Sequence, residues 1–332
     1  MRHVHVEGHG TFLGLRGKRL VVKRGEGEER EYALNRTRSL TVHGRAHSVS
    51  SALLLALSAR GIRFSVISGG GDSAMLVESS RHATAQVRSS QHHQLQENVP
   101  CQAWCREVIA TKIANQRAVL LYFSKYAAKR HEPDSAAIRD AAGRLKVSVE
   151  SVRRVRLPTN ANWRDRLLGL EGQAASVYWG TLAEQIMLPG DFERREGRGA
   201  RDVANAGLNY GYAILASRIQ SALLNAGLDL HAGFLHAMRP GKPALVLDLM
   251  EEYRAWTVDR SLIKLRRALS GCETLTQKAR QRIAREVSDT FSRRYPWRGR
   301  RLSLDSIIQR QCYRLAGSFC GGSAYRGYRF RW

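Results

Sequence analysis

The chain reads as an α+β protein, with a small N-terminal β-rich domain followed by a larger all-α domain. Three observations carry that reading. Strand-length apolar segments separated by glycine-bearing turns fill 1–80, a polar stretch at 81–99 ends on Pro100, and from Cys101 onward the apolar residues recur with helical spacing. The division is therefore 1–80 as the β-rich domain, 81–99 as a linker and 100–332 as the helical domain with a basic tail.

In the first domain, 12–15 and 19–23 flank Arg16-Gly17-Lys18, a hairpin signal, and the strand pattern continues through 30–34 and 39–42. The serines at 48–51 cap a helix over 52–60 that Gly61 ends, and 62–67 and 74–77 return to strand. Gly69-Gly70-Gly71 has neither a following GK[ST] nor a GxGxxG pattern, so it reads as a flexible turn and not as a phosphate loop. In the second domain, helical periodicity covers 104–128, 135–145, 163–187, 203–226, 275–293 and 302–315, with no repeat period.

Lys and Arg total 54 against 29 Asp and Glu, a net charge of +25. Such an excess repels itself in a compact chain and asks for a polyanion, nucleic acid first and an anionic membrane surface second. No run approaches the ~20 apolar residues of a spanning helix, and Met1-Arg2-His3 leads into no apolar signal segment. Five cysteines with no CxxC pair indicate reduced thiols, and the expected location is cytoplasmic.

The chemistry concentrates in 227–260. An apolar run there, 244–250, carries Asp248 in its middle and is followed by Glu251 and Glu252, and His236 closes a Gly-Phe-Leu-His turn ahead of it. On a helix, Asp248 and Glu251 share a face, and burying two like charges together is costly unless cations join them. A divalent metal would use such a set; equally, the acids could begin a helix and pair with Arg239, Lys242 or Arg254. Upstream, Glu171 stands between Gly169 and Gly172 inside a helical pattern, a weakening that suggests a close approach to its backbone; pairing with Arg164 or Arg166 is the plain alternative. The last third is rich in arginine interleaved with aromatics, from Arg280 through Tyr295 and Trp297 to Trp332, which suits phosphate contact and base stacking or, alternatively, aromatics folded back as core plugs.

Ordered motifs over most of the chain resemble the CRISPR-associated protein 1 family. They are LEGQAASVYW around Glu171, Arg201-Asp202, NAGLNYGY from Asn205, GLDLHAGFLH ending at His236, LDLMEEYR with Asp248 and Glu251, Val258-Asp259-Arg260, and the YRFRW tail. The resemblance implies a metal site of Glu171, His236 and Glu251 with Asp248 as a nearby acid that the family needs or favours, which leaves Glu252 to the solvated face. It also implies a homodimer that joins CRISPR-associated protein 2 and inserts short double-stranded DNA fragments into a CRISPR array. Leu230 and the loop 237–243 depart from the usual pattern, which bears on where Arg239 and Lys242 meet DNA and not on the ligand set. Tyr178, Arg201, Arg239, Lys242, Arg260, Arg293 and Arg294 are the expected DNA contacts. Attack of a DNA 3′-hydroxyl on a phosphodiester suits Mg²⁺ or Mn²⁺ held by carboxylates, with imidazole favouring Mn²⁺. His236 could be a ligand or a general base. A metal-dependent nuclease of branched DNA that joins nothing, and a non-enzymatic DNA-binding protein, are the rival readings.

Overall fold

The computed structural model describes residues 2–25, 27–44, 46–68, 73–75, 85–129, 135–158, 163–185, 187–190, 192–197, 199–200, 202–269, 271–272 and 274–331. The chain separates into two compact units, Met1–Ala83 and Thr84–Trp332.

Two four-stranded sheets build the first unit. One runs in the order β1 (Arg2–Glu7), β5 (Thr37–His43), β7 (Arg63–Ile67), β8 (Ser73–Met75), and its first three strands are parallel. The other runs β4 (Glu28–Ala33), β3 (Arg19–Arg24), β2 (Thr11–Arg16), β6 (His47–Val49), with the β2–β3 hairpin turning at Gly17. Their apolar faces, with Leu53 and Leu57 of helix α1 (Ser51–Ala59), enclose one core that includes Val6, Leu13, Leu20, Leu40 and Phe64. Ser50 caps α1 by accepting from the Leu53 amide at 3.2 Å, and Gly61 ends it with φ +64°. The triple glycine and 76–77 lie outside the described residues.

The second unit is mostly helical. Of the stretch read as a linker, Ala85–Gln96 is helix α2, and it belongs to this unit. Its Gln91 is buried, donates to the carbonyls of Asp229 and Ala232 at 3.0 and 2.8 Å, and accepts from the Asp229 amide at 2.8 Å. One amide thus makes three bonds that fix the approach to His236. The low apolar content of α2 hid this role, because it docks through a polar group. Helix α3 (Asn98–Lys129) starts ahead of the predicted 104 and includes Pro100, which sits in the first turn, where a missing N–H costs nothing.

Helix α4 (Ser135–Arg154) runs past the predicted 145 because Val149 and Val152 continue its buried stripe. Helices α5 (Trp163–Glu184), α6 (Val203–Asn225) and α7 (Ala244–Arg254) follow, then a π-turn at Ala255–Asp259, α8 (Arg260–Leu269) and α9 (Gln277–Ser292). In α6, a Cβ at Gly211 would fall 2.5 Å from Val258, so this helix crosses the π-turn at a contact only glycine permits. The unit is not wholly helical: strands β9 (Arg294–Trp297) and β10 (Arg300–Ser303) form an antiparallel hairpin before α10 (Leu304–Phe319), so helix begins at 304 and not 302. No described helix is long and apolar enough to cross a membrane.

Candidate active site

Helix α7 carries three of the candidate acids, and it has no solvated face. Asp248, Glu251 and Glu252 are all buried, at 0 %, 4 % and 0 % exposure. Each acid therefore needs its own partners, and each has a different set.

Asp248 organises the turn ahead of it. Its Oδ2 accepts from the amides of Phe234 and Leu235 at 2.6 and 3.0 Å, and its Oδ1 accepts from the His236 amide at 2.8 Å and from His236 Nδ1 at 2.6 Å. Gly233 makes this wrapping possible, because a Cβ there would fall 2.7 Å from Asp248 Oδ2 and 2.7 Å from the Ala244 Cβ. In the neutral imidazole, Nδ1–H donated to Asp248 leaves the His236 lone pair on Nε2, and the side chain keeps 38 % exposure.

Glu251 faces cations. Its Oε1 meets Arg254 at 2.8 Å, and its Oε2 meets the Lys112 ammonium at 2.7 Å; Lys112 also donates to Glu171 Oε1 at 2.6 Å. Burial works against the Glu251 charge, but Arg254 and Lys112, with His236 adding to them, outweigh it and hold the carboxyl at about 2. Burial works against the Lys112 charge too, and Glu251 and Glu171 more than restore it. Glu171 of α5 and Glu251 of α7 thus converge on one ammonium from α3, and His236 lies near enough to add to the field on Glu251. Lys112 escaped the sequence reading, which offered Arg164 and Arg166 as partners of Glu171. A signal was present: Lys112 falls on the same helical stripe as buried Val108, Ile109, Asn115 and Val119.

Glu252, expected on a solvated face, is the opposite case. It accepts from the Tyr325 hydroxyl at 2.8 Å and the Tyr328 amide at 3.1 Å, with no cation bonded to it, and burial pushes it up to about 8. Asn115 adds to the same junction, donating to the carbonyls of Glu252 and Tyr328 at 2.7 and 2.8 Å and accepting from the Phe330 amide at 3.0 Å. The tail aromatics are core: Tyr325, Tyr328 and Phe330 are buried, and Phe330 stacks on Trp256 with centroids 5.1 Å apart.

Two expected DNA contacts are buried instead. Tyr178 is fully enclosed and donates to Asp259 Oδ2 at 3.0 Å, while Tyr212 donates to Oδ1 of the same acid at 2.6 Å. Arg260 is 2 % exposed, bonds the Trp256 carbonyl and the Thr290 hydroxyl at 3.0 Å each, and lies over the Trp256 ring. Both pack the π-turn, so neither can reach DNA in this arrangement. Arg239, Lys242, Arg293 and Arg294 are exposed; Arg294 bonds the Arg301 carbonyl across the hairpin at 2.8 Å, and Arg201 lies outside the described residues. A Cβ at Gly169 or Gly172 meets nothing within 4 Å, so among the described residues none makes the close approach that the glycines flanking Glu171 suggest.

Among the described residues, no three His, Cys, Asp or Glu side chains form a ready-made metal cage. The donor types nevertheless fit a hard divalent ion: the carboxylates of Glu171 and Glu251, which share the Lys112 ammonium, and an imidazole that offers Nε2 when neutral.

The comparisons agree with this arrangement at the level of family and fold. The family model described as CRISPR associated protein Cas1 matches residues 4–285. A CRISPR-associated endonuclease Cas1 from Francisella tularensis subsp. novicida (strain U112) is 40 % identical over 100 % of both chains, and one from Korarchaeum cryptofilum (strain OPF8) is 31 % identical over 92 % of this chain and 91 % of its own. Among solved structures, a casposase bound to integration product superposes with a TM-score of 0.77 at 20 % identity, covering 98 % of this chain and 93 % of that one. A Cas1 protein from Thermotoga maritima gives 0.76 at 16 % identity, covering 99 % and 100 %, and a Cas6-RT-Cas1–Cas2 complex gives 0.77 at 20 % identity, covering 99 % of this chain and 36 % of that one.

Proposed function

Since the chain belongs to the CRISPR-associated protein Cas1 family, we propose that it is a metal-dependent DNA endonuclease and integrase that inserts short DNA fragments into a CRISPR array. The reaction is attack of a DNA 3′-hydroxyl on a phosphodiester, with no covalent protein intermediate. The observation that supports this most directly is the convergence of Glu171 and Glu251 on Lys112, beside an imidazole whose tautomer Asp248 sets.

Glu171, Glu251 and His236 Nε2 would hold Mg²⁺ or Mn²⁺, and the bound ion supplies charge stabilisation for the reacting phosphate. Asp248, enclosed by backbone amides, acts through His236 as a positioning residue. Lys112 keeps the two carboxylates together and, with Arg254, balances their charge in the free protein, and it is a cation within reach of any phosphate brought to them. Gly169 and Gly172 leave the α5 surface bare beside Glu171, which suits the approach of a DNA backbone. Arg239, Lys242, Arg293 and Arg294 are the surface cations offered to phosphates. A homodimer working with a Cas2 partner completes the reading, since a complex named for both proteins has this fold.

The test is a joining reaction with a supercoiled plasmid, short duplexes bearing free 3′-hydroxyls, and Mn²⁺, with and without the Cas2 partner. Covalent duplex–plasmid product that disappears with a chelator supports the integrase. Cleavage without joining, even with the partner, moves the reading to a nuclease of branched DNA, and binding with neither reaction moves it to a DNA-binding protein whose acids are structural.

A further inference from the structure

Both oxygens of Glu251 already face a cation: Oε1 meets Arg254 at 2.8 Å and Oε2 meets Lys112 at 2.7 Å. Lys112 also donates to Glu171 Oε1 at 2.6 Å, and its side chain is only 16 % exposed. Asp248, bonded to His236, brings the cluster to three carboxylates, Glu171, Asp248 and Glu251, against two cations, Lys112 and Arg254. With His236 neutral, the cluster carries one net negative charge. A divalent ion added to it makes the total one positive, and excess charge among buried groups is costly whatever its sign. One phosphodiester brought to the ion restores neutrality.

The two cations differ in how firmly they are held. Arg254 belongs to the same helix as Glu251, and its guanidinium lies over the Tyr212 ring at 4.8 Å, while the Tyr212 hydroxyl is fixed on Asp259 Oδ1 at 2.6 Å. Arg195 lies over the same ring at 5.3 Å and is itself bonded to Asn205 and Asn209 at 2.9 and 2.6 Å. A planar fork stacked on a fixed aromatic face and bonded to a carboxylate has little freedom to leave. Lys112 reaches the acids from α3 on a flexible stem, and an ammonium is a point charge that bonds equally well from several positions. Lys112 is therefore the cation that can give way.

Resting on the metal-dependent reading above, we infer that Lys112 gates the loading of the ion: it occupies the acids until a DNA phosphate takes over its ammonium, so that ion and DNA each tighten the binding of the other. The cause is electrostatic. In the protein alone, an ion competes with the ammonium for Glu171 Oε1 and Glu251 Oε2 and leaves an excess positive charge. With a phosphate present, the ammonium has a new anion and the excess is cancelled. The coupling is reciprocal, since the factor by which DNA raises ion affinity is the factor by which the ion raises DNA affinity. Without the lysine charge, the same acids load the ion with no need of DNA.

Mn²⁺ binding to the full chain is measured by electron paramagnetic resonance, with and without a short duplex whose 3′ ends are dideoxy, so that no joining occurs. Glu251→Gln with the same duplex gives the background of ions held by DNA itself. Two variants remove the lysine charge: Lys112→Gln keeps an N–H for the acids and Lys112→Met keeps only the apolar stem, so that one serves if the other does not fold, as melting temperatures in chelator report. The duplex is expected to raise wild-type Mn²⁺ affinity about tenfold. Without DNA, the Lys112 variants should bind Mn²⁺ about tenfold more tightly than the wild type, and their gain on adding the duplex should shrink by the same factor. Equal or weaker Mn²⁺ binding by the variants without DNA, or a gain with the duplex as large as that of the wild type, would overturn the gate and leave the metal site standing. Wild-type Mn²⁺ binding no better than that of Glu251→Gln in both conditions would remove the metal-dependent reading itself, and the gate with it.

Discussion

Glu251 and Glu252 are consecutive in α7, both buried, and face two different environments. Glu251 points toward Lys112 of α3, 2.7 Å away, with Arg254 of its own helix at 2.8 Å, and its carboxyl is held at about 2. Glu252 points toward the C-terminal strap, where a tyrosine hydroxyl and a backbone amide donate to it, and it rises to about 8. A unit charge at contact distance contributes roughly 4 kcal/mol at an effective dielectric near 20, whereas a neutral hydrogen bond nets about 1 kcal/mol. Depth of burial is nearly the same for both acids, so the partners decide the charge. One face of the helix is kept ionised by cations, and the other is a neutral plug that seats the C-terminal strap, 325–330.

Substitution should separate these faces. The largest effect is expected from Glu251→Gln, which keeps the shape and removes the charge: joined product should fall roughly a thousandfold, read by gel, and denaturant unfolding should show a loss of about 3 kcal/mol because two buried cations lose a partner. Glu252→Gln should leave joining nearly untouched; a matching loss of activity would mean that the two faces are not independent.

The stability of the Glu252 variant carries its own sign. A carboxyl whose folded pKa stands at about 8 keeps a proton that the unfolded chain, near 4.5, has released. Wild-type stability should therefore fall by up to about 1.4 kcal/mol per pH unit between those limits. Glu251 acts the other way, adding stability above 4.5 that is lost as pH falls toward about 2, so its window does not overlap. Unfolding measured from about pH 5 to pH 8 should slope for the wild type and flatten in Glu252→Gln. A third substitution, Asn115→Ala, removes three bonds at the strap junction and should cost about 2 kcal/mol with metal binding intact. Asp248→Asn leaves two of the four donors at that carboxylate facing an NH2 group, and should cost about 3 kcal/mol of stability and weaken Mn²⁺ binding roughly tenfold or more by electron paramagnetic resonance.

The sequence was legible where the period or the residue type is itself the cause. The strand-rich start, the long helices α5 and α6, the His236 turn and the buried Asp248 all follow from local pattern. It was misleading where a partner far along the chain decides the outcome. Glu252 resembled a surface acid because its partners, Tyr325 and Tyr328, lie more than seventy residues away. Tyr178 and Arg260 resembled DNA contacts because aromatic and basic residues near a site invite that reading, yet Asp259 and Trp256 hold them inside. The α2 helix resembled a linker because polar side chains, Gln91 and His92 on the Asp229 turn, dock it. A cation on the inner stripe of α3 and a helix α7 with no solvated face were the two signals that the spacing of apolar residues carried.

The strap has a further consequence for biogenesis. Phe330 donates its amide to Asn115 across 215 positions, and Tyr328 reaches Glu252 and Pro296. Helices α3 and α7 therefore meet their last partners only after nearly the whole sequence has left the ribosome, with the entropy of closing that span opposing the step. Until then Glu252 and Asn115 stand open, and the nascent helical unit is exposed to holdase chaperones and proteases while the strand-rich unit ahead of it already has every residue of its core.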